Sequence, residues 1–168
     1  MKKYILMLLL ALGPVCLNPA AARKVNKSRL GSFVQEYKGK DNFEVINLGS
    51  VALRLMRGAA KLSADSAEDR EALKIMDGLK RVMIVSYEDA DDRMKQRFIS
   101  GLDKILGDSE TLLEAKSDGD TVRIFGTLSG DGEKIEDVII HVPDSGTLVC
   151  LFGSLAASQL ENVIAKTR

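Results

Sequence analysis

The amino-acid sequence predicts an α+β domain: a mainly antiparallel sheet of about five to six strands with helices packed on one face, and a C-terminal β-meander followed by a closing helix. Three observations carry that expectation. Apolar residues recur at helical spacing in four segments before residue 107, and from residue 110 the pattern changes to short β segments separated by turn residues. Helices and strands therefore come in segregated runs, which argues α+β. A chain of 168 residues, 45% hydrophobic, fits one such domain.

The elements follow in chain order. Leu30, Phe33, Val34 and Tyr37 place one apolar stripe on a first helix that Gly39 ends. Residues 43–48 (Phe-Glu-Val-Ile-Asn-Leu) read as a brief strand that feeds a second helix directly. Along it Leu48, Val51, Ala52, Leu55, Met56 and Ala59 repeat at spacings of three and one, which predicts the stripe that faces the core. Ser66 followed by Asp69 makes a capping box for a third helix from about residue 67, carrying Ala72, Ile75, Met76 and Leu79. Residues 82–87 (Val-Met-Ile-Val-Ser-Tyr) are apolar at consecutive positions, the pattern of a central strand covered on both faces. Met94, Phe98, Leu102, Ile105 and Leu106 mark a fourth helix running into Gly107.

Four β segments come next, near 110–117, 120–128, 135–142 and 147–152. Asp118-Gly119, Ser129-Gly130-Asp131-Gly132 and Pro143-Asp144-Ser145-Gly146 supply the hairpin turns between them. Ser154 then caps a closing helix over 154–166, with Leu155, Leu160, Val163 and Ile164 on one side.

Ahead of all this stands a targeting segment. Lys2-Lys3, an apolar run from Tyr4 to Leu12 and the small residues Ala20-Ala21-Ala22 form the pattern of a secretory signal peptide over residues 1–22, with cleavage after Ala22. The run is shorter than the ~20 residues a helix needs to span a bilayer, and nothing later is long and apolar enough. An exported protein of the periplasm or cell surface is expected. A competing reading makes Cys16 a lipid-anchor site at the end of the apolar core, against which stands Val15 in a slot that normally holds Gly, Ala or Ser.

Composition and motifs exclude several chemistries. With 24 basic and 24 acidic residues the formal net charge is zero, unlike a domain built to neutralise nucleic-acid phosphates. Beyond Ala22 remain one histidine, His141, and one cysteine, Cys150, too few to ligate zinc. Cys150 lies in an apolar strand and reads as a buried small hydrophobe. Neither the acidic stretch 88–92 nor Asp118-Gly119-Asp120 has EF-hand spacing, and the first suits a helix start. His141 alternates with Ile140 and Val142 and reads as a strand-surface residue, while no Gly-x-Ser-x-Gly elbow or phosphate-binding glycine loop occurs. Catalytic, metal and cofactor residues are accordingly not assigned. A hydrolase would need Ser154 or carboxylates to converge on His141.

One surface feature remains. Arg54, Arg57 and Lys61 at i, i+3 and i+7 form a basic ridge on the second helix opposite its apolar stripe, a solvated face or a surface for an anionic partner. Asp65-Ser66-Ala67 and Asp120-Thr121-Val122 match a loose O-glycosylation acceptor pattern.

Phe33-x-x-x-Tyr37, the passage from Phe43 through Leu48 to Leu53-Arg54-Leu55-Met56, and the closing Leu151-Phe152-Gly153-Ser154-Leu155 with Leu160 resemble the family designated domain of unknown function 4252. The resemblance implies a secreted or lipid-anchored envelope protein of Bacteroidetes-type bacteria and carries no catalytic residue with it. Export without visible chemistry points to a non-enzymatic module that binds an envelope protein or another envelope component. A periplasmic small-molecule binding module, its pocket lined by Tyr87, Phe125 and Phe152, is the alternative.

Overall fold

In the computed structural model, which describes residues 24–62, 76–117 and 120–158, the sheet is laid down as six antiparallel strands. In chain order these residues form α1 (Lys27–Tyr37), β1 (Glu44–Leu48), α2 (Ser50–Leu62), β2 (Leu79–Ser86), α3 (Asp92–Leu106), β3 (Thr111–Ser117), β4 (Asp120–Leu128), β5 (Lys134–Val142) and β6 (Thr147–Ala156). The strand order is β1-β2-β6-β5-β4-β3. β2 is thus interior, as its continuous apolar run requires, and the last four strands form the expected meander.

Local chemistry sets the helix ends. The Asn26 side chain accepts a hydrogen bond from Arg29 N at 3.0 Å and caps α1, and the Asp91 carboxylate accepts one from Met94 N at 2.9 Å and caps α3. The acidic stretch 88–92 therefore serves the start of a helix. The predicted third helix lies outside the described residues except at its end.

The register divides the strands into two faces. Met83 and Val85 pair with Cys150 and Leu148, which pair in turn with Ile139 and His141, so these side chains share one face. Leu30, Val34 and Tyr37 of α1 and Phe98, Leu102 and Leu106 of α3 bury that face completely. At its centre Tyr37 meets Phe98 edge-on at 4.9 Å and Tyr87 approaches Phe98 at 4.7 Å, contacts that each add about 1 kcal/mol to the area they bury. A Cβ on Gly101 would come within 2.5 Å of the Phe33 ring, so the glycine is what lets α1 close on α3.

The opposite face carries a continuous apolar rung, Ile46–Ile84–Val149–Ile140–Ile124–Leu113, one residue from each strand. Leu53 of α2 joins Val82, Val138, Ile124, Ile135 and Leu155 there. The helices consequently pack on both faces, where one was expected, because β2 and β5 are apolar at odd and even positions alike.

A line of register shifts crosses the sheet, at Leu79/Arg81, Glu136/Val138, Phe125/Thr127 and Thr111/Leu113. Bulges of this kind bend strands and increase their twist. Two special backbone positions hold the line: Asp137 at φ 56° and Gly153 at φ 140°. Asp137 Oδ1 accepts Gly153 N–H at 3.1 Å and Oδ2 pairs with Lys27 at 2.9 Å, while a Cβ on Gly153 would drive into Gly78 O.

The C-terminus differs from the expectation. β6 continues through Ala156, and Ser154 sits in the ladder opposite Glu136 with its N–H donated to Gly78 O, so it cannot cap a helix beginning there. The remainder of the expected closing helix, from residue 159, lies outside the described residues, as do residues 1–23 and Ser66.

Candidate functional site

The surface that departs furthest from ordinary burial is the passage from β1 into α2. Two turns of α2 carry Val51, Leu55 and Met56, which are 69%, 70% and 47% exposed, and Ile46 of β1 is 49% exposed. Leu53, in the same helix, is 2% exposed. At 3.6 residues per turn Leu53 lies about 200° around the axis from Val51 and about 160° from Leu55. The helix therefore docks on one flank of its apolar sector and leaves the rest in solvent. The predicted stripe of Val51, Leu55 and Met56 does not face the core. Ile46 is the rung partner of Ile84 and lies on the side of the sheet that α2 covers.

Sequence explains why this happens. In Ser-Val-Ala-Leu-Arg-Leu-Met-Arg-Gly-Ala-Ala-Lys-Leu the apolar sector is too wide for one contact with a sheet edge, and β1 is the edge strand. Leu53 is the side chain that goes inward, and Arg57 beside it is tied to the chain ahead of β2. Its Nε donates to Leu53 O at 3.3 Å and its Nη1 to the Asp77 carboxylate at 3.2 Å, tying the helix to the start of β2. Of the predicted basic ridge, Arg54 is exposed about 60° around the axis from Val51, on the side away from Leu55, Arg57 is spent on this tether, and Lys61 stands on the last turn of α2. The helix has no acidic residue.

Elsewhere polar side chains converge at two clefts. A cleft of about 340 Å³ beside the bulges is lined by Lys27, Lys80, Arg81, Asp137, Phe152 and Ser154, among others. Its charges largely satisfy one another: Lys27 holds Asp137, Lys24 holds Glu136 at 3.0 Å and lowers its pKa, and Arg81 donates to Asn47 Oδ1 at 2.9 Å. A second cleft, about 240 Å³, has Arg123 between Asp103 at 3.4 Å and Glu114 at 3.8 Å, with Phe125 on its wall. Phe125 and Phe152 thus line different clefts and Tyr87 lines neither, so the three aromatics do not form one pocket.

His141 is a correction to the strand-surface expectation. It is fully buried, with Nε2 2.8 Å from the Tyr87 hydroxyl, because both faces of β5 are covered and alternation there has no solvent side. Burial, with Arg123 nearby, pushes its pKa down to about 4, and burial raises that of Tyr87. Its Nδ1 has no hydrogen-bond partner. Ser154 lies opposite Glu136, five residues along β5 and about 15 Å from His141, so the two do not converge. Cys150 is buried as expected, its thiol pushed up to about 12 by desolvation. Among the described residues no group of three His, Cys, Asp or Glu side chains could hold a metal ion, and no helix is long and apolar enough to cross a membrane.

Against known proteins, a family model described as "Domain of unknown function (DUF4252)" matches residues 37–163. No curated protein and no solved structure matches the chain.

Proposed function

The chain belongs to the family of domain of unknown function 4252, and from that premise we propose that it is an exported, non-enzymatic envelope protein that binds another envelope component through the β1–α2 face. The observation that carries the proposal is the outward turn of α2. Exposed apolar side chains grouped on one surface are costly in solvent unless something covers them, and such patches mark interaction sites. Val51, Leu55 and Met56 of α2 are such side chains, with exposed Arg54 beside them on the helix and exposed Ile46 on the adjoining edge strand.

Two further features support a binding role over catalysis. The one buried histidine is held neutral inside the core, away from Ser154 and from solvent. Lys27 and Asp137, Lys24 and Glu136, and Arg123 with Asp103 and Glu114 pair with one another at the two clefts. Export rests on the signal-peptide pattern of residues 1–22, with cleavage after Ala22, and the setting implied by family resemblance is the periplasm or cell surface of a Bacteroidetes-type bacterium.

The test is site-specific photo-crosslinking in living cells of the native host. A benzophenone amino acid in place of Leu55 should capture a defined envelope component, protein or lipid, and the same probe at exposed Glu36 on α1 should not. Equal, diffuse capture from both positions would overturn the assignment of this face.

A further inference from the structure

Resting on the β1–α2 face as the contact surface, we propose that its occupant is an anionic phospholipid membrane surface, on which α2 lies in plane. Val51, Leu55 and Met56 enter the boundary of the acyl chains, and Arg54 stays at the level of the phosphates.

Charge, chemistry and shape lead to the same occupant. Over its 13 residues α2 carries two arginines and a lysine and no carboxylate. Arg57 is occupied by Asp77, which leaves exposed Arg54 as the charge that α2 offers a partner among its described side chains. A helix with a wide apolar sector bordered by cations is the form that binds at a membrane interface, sinking about 5–10 Å into it. Anionic headgroups supply the counter-charge, and the arginine stem can reach them while its neighbours are immersed.

Shape separates this occupant from the others. Neither of these clefts is lined by any residue of α2, and Val51 and Leu55, 69% and 70% exposed, project from a helix that follows an edge strand. Protein-binding hot spots concentrate in desolvated pockets and favour Trp and Tyr, whereas the exposed apolar side chains here are aliphatic or Met and stand proud of the surface. A second copy of the chain would set two cationic, acid-free helices against each other. A soft planar surface accepts the ridge without a complementary groove.

The test places a nitrobenzoxadiazole dye at position 55 of the full chain, using Leu55→Cys with Cys16→Ser; Cys150 is buried in the core. The dye at Glu36→Cys in the same chain separates a response of α2 from one delivered by the apolar run of residues 4–12. Vesicles of phosphatidylcholine with about one third phosphatidylglycerol should shift its emission to the blue. Pure phosphatidylcholine, or about 0.5 M salt, should weaken the apparent affinity at least about tenfold. Arg54→Glu in the labelled chain should weaken it about tenfold, and a dye at Glu36→Cys should not respond. With circular dichroism showing a folded chain, no shift at position 55, or equal response to both vesicle compositions, would overturn the proposal. A photo-crosslink from position 55 to a protein, without the vesicle response, removes the lipid and keeps the contact face; loss of both results removes both.

Discussion

At the scale of single residues the strongest constraint is the His141–Tyr87 pair. Both side chains are fully buried, and whichever tautomer forms the 2.8 Å bond, Nδ1 is left without a partner. Protonation would put an uncompensated charge in the core beside Arg123, hence the lowered pKa, about 4 against 6.5 in an unfolded chain. The sign follows from proton counting. Between pH 6.5 and 4 the unfolded chain holds a proton at this site and the folded chain does not, so stability is complete above 6.5 and is lost as pH falls toward 4. The loss is on the order of 3 kcal/mol at one pKa unit per 1.36 kcal/mol. Urea unfolding at pH 7 and at pH 4.5 should show most of it, and the drop should shrink in His141→Gln, which cannot take the proton. The lowered carboxylates lose their contribution only as pH falls through the unfolded values, 3.8 for Asp131 and Asp144, below this window, and 4.5 for Glu136, at its lower end, which is why the His141→Gln comparison is needed. An equal drop in wild type and variant would mean that His141 is not the group responsible.

At the scale of elements, α2 makes the sharpest claim, because its orientation inverts the usual relation between apolar character and burial. Leu53→Ala should cost about 2–5 kcal/mol, the range for a buried leucine, whereas Leu55→Gln should cost less than about 0.5 kcal/mol. Similar losses from both substitutions, measured by urea unfolding, would put the helix the other way round. This element also shows where the sequence was readable and where it was not. Periodicity located α1, α2, α3 and all six strands, because a period of 3.6 or of two is a local property. It did not orient α2, since eight of that helix's 13 residues are apolar and the inward flank is marked by tertiary contacts, Leu53 on the sheet and Arg57 on Asp77 across 20 residues. The same limit hid the burial of His141 and the length of β6. Both depend on what covers the second face of the sheet and on a bulge at Asp137, neither of which leaves a periodic trace. Arg54, Arg57 and Lys61 were visible as a spacing, yet their division into one exposed cation and one tether was a tertiary outcome.

At the scale of the whole molecule the two faces of the sheet are unequally sealed, and that inequality should order the stability of the parts. α1 and α3 close one face with six buried side chains between them and an aromatic cluster, while α2 holds to the other through Leu53 and the Arg57–Asp77 tether. Local opening costs least where few buried contacts must break. Opening α2 withdraws Leu53 from the sheet residues beneath it and breaks no strand ladder; opening β6 breaks ladders with β2 and β5 and empties the core of Leu148, Cys150 and Phe152. Amides of α2 should therefore exchange with solvent at least about hundredfold faster than those of β6, with the edge strands β1 and β3 between, in a native-state hydrogen-exchange experiment. Adding anionic vesicles should slow exchange in α2 selectively and leave β5 and β6 unchanged, since a partner that binds only the docked helix stabilises that unit by mass action. If α2 exchanges as slowly as β6 in free solution, the helix is an integral part of the core, and its exposed aliphatic face would have to be explained without a separately opening element.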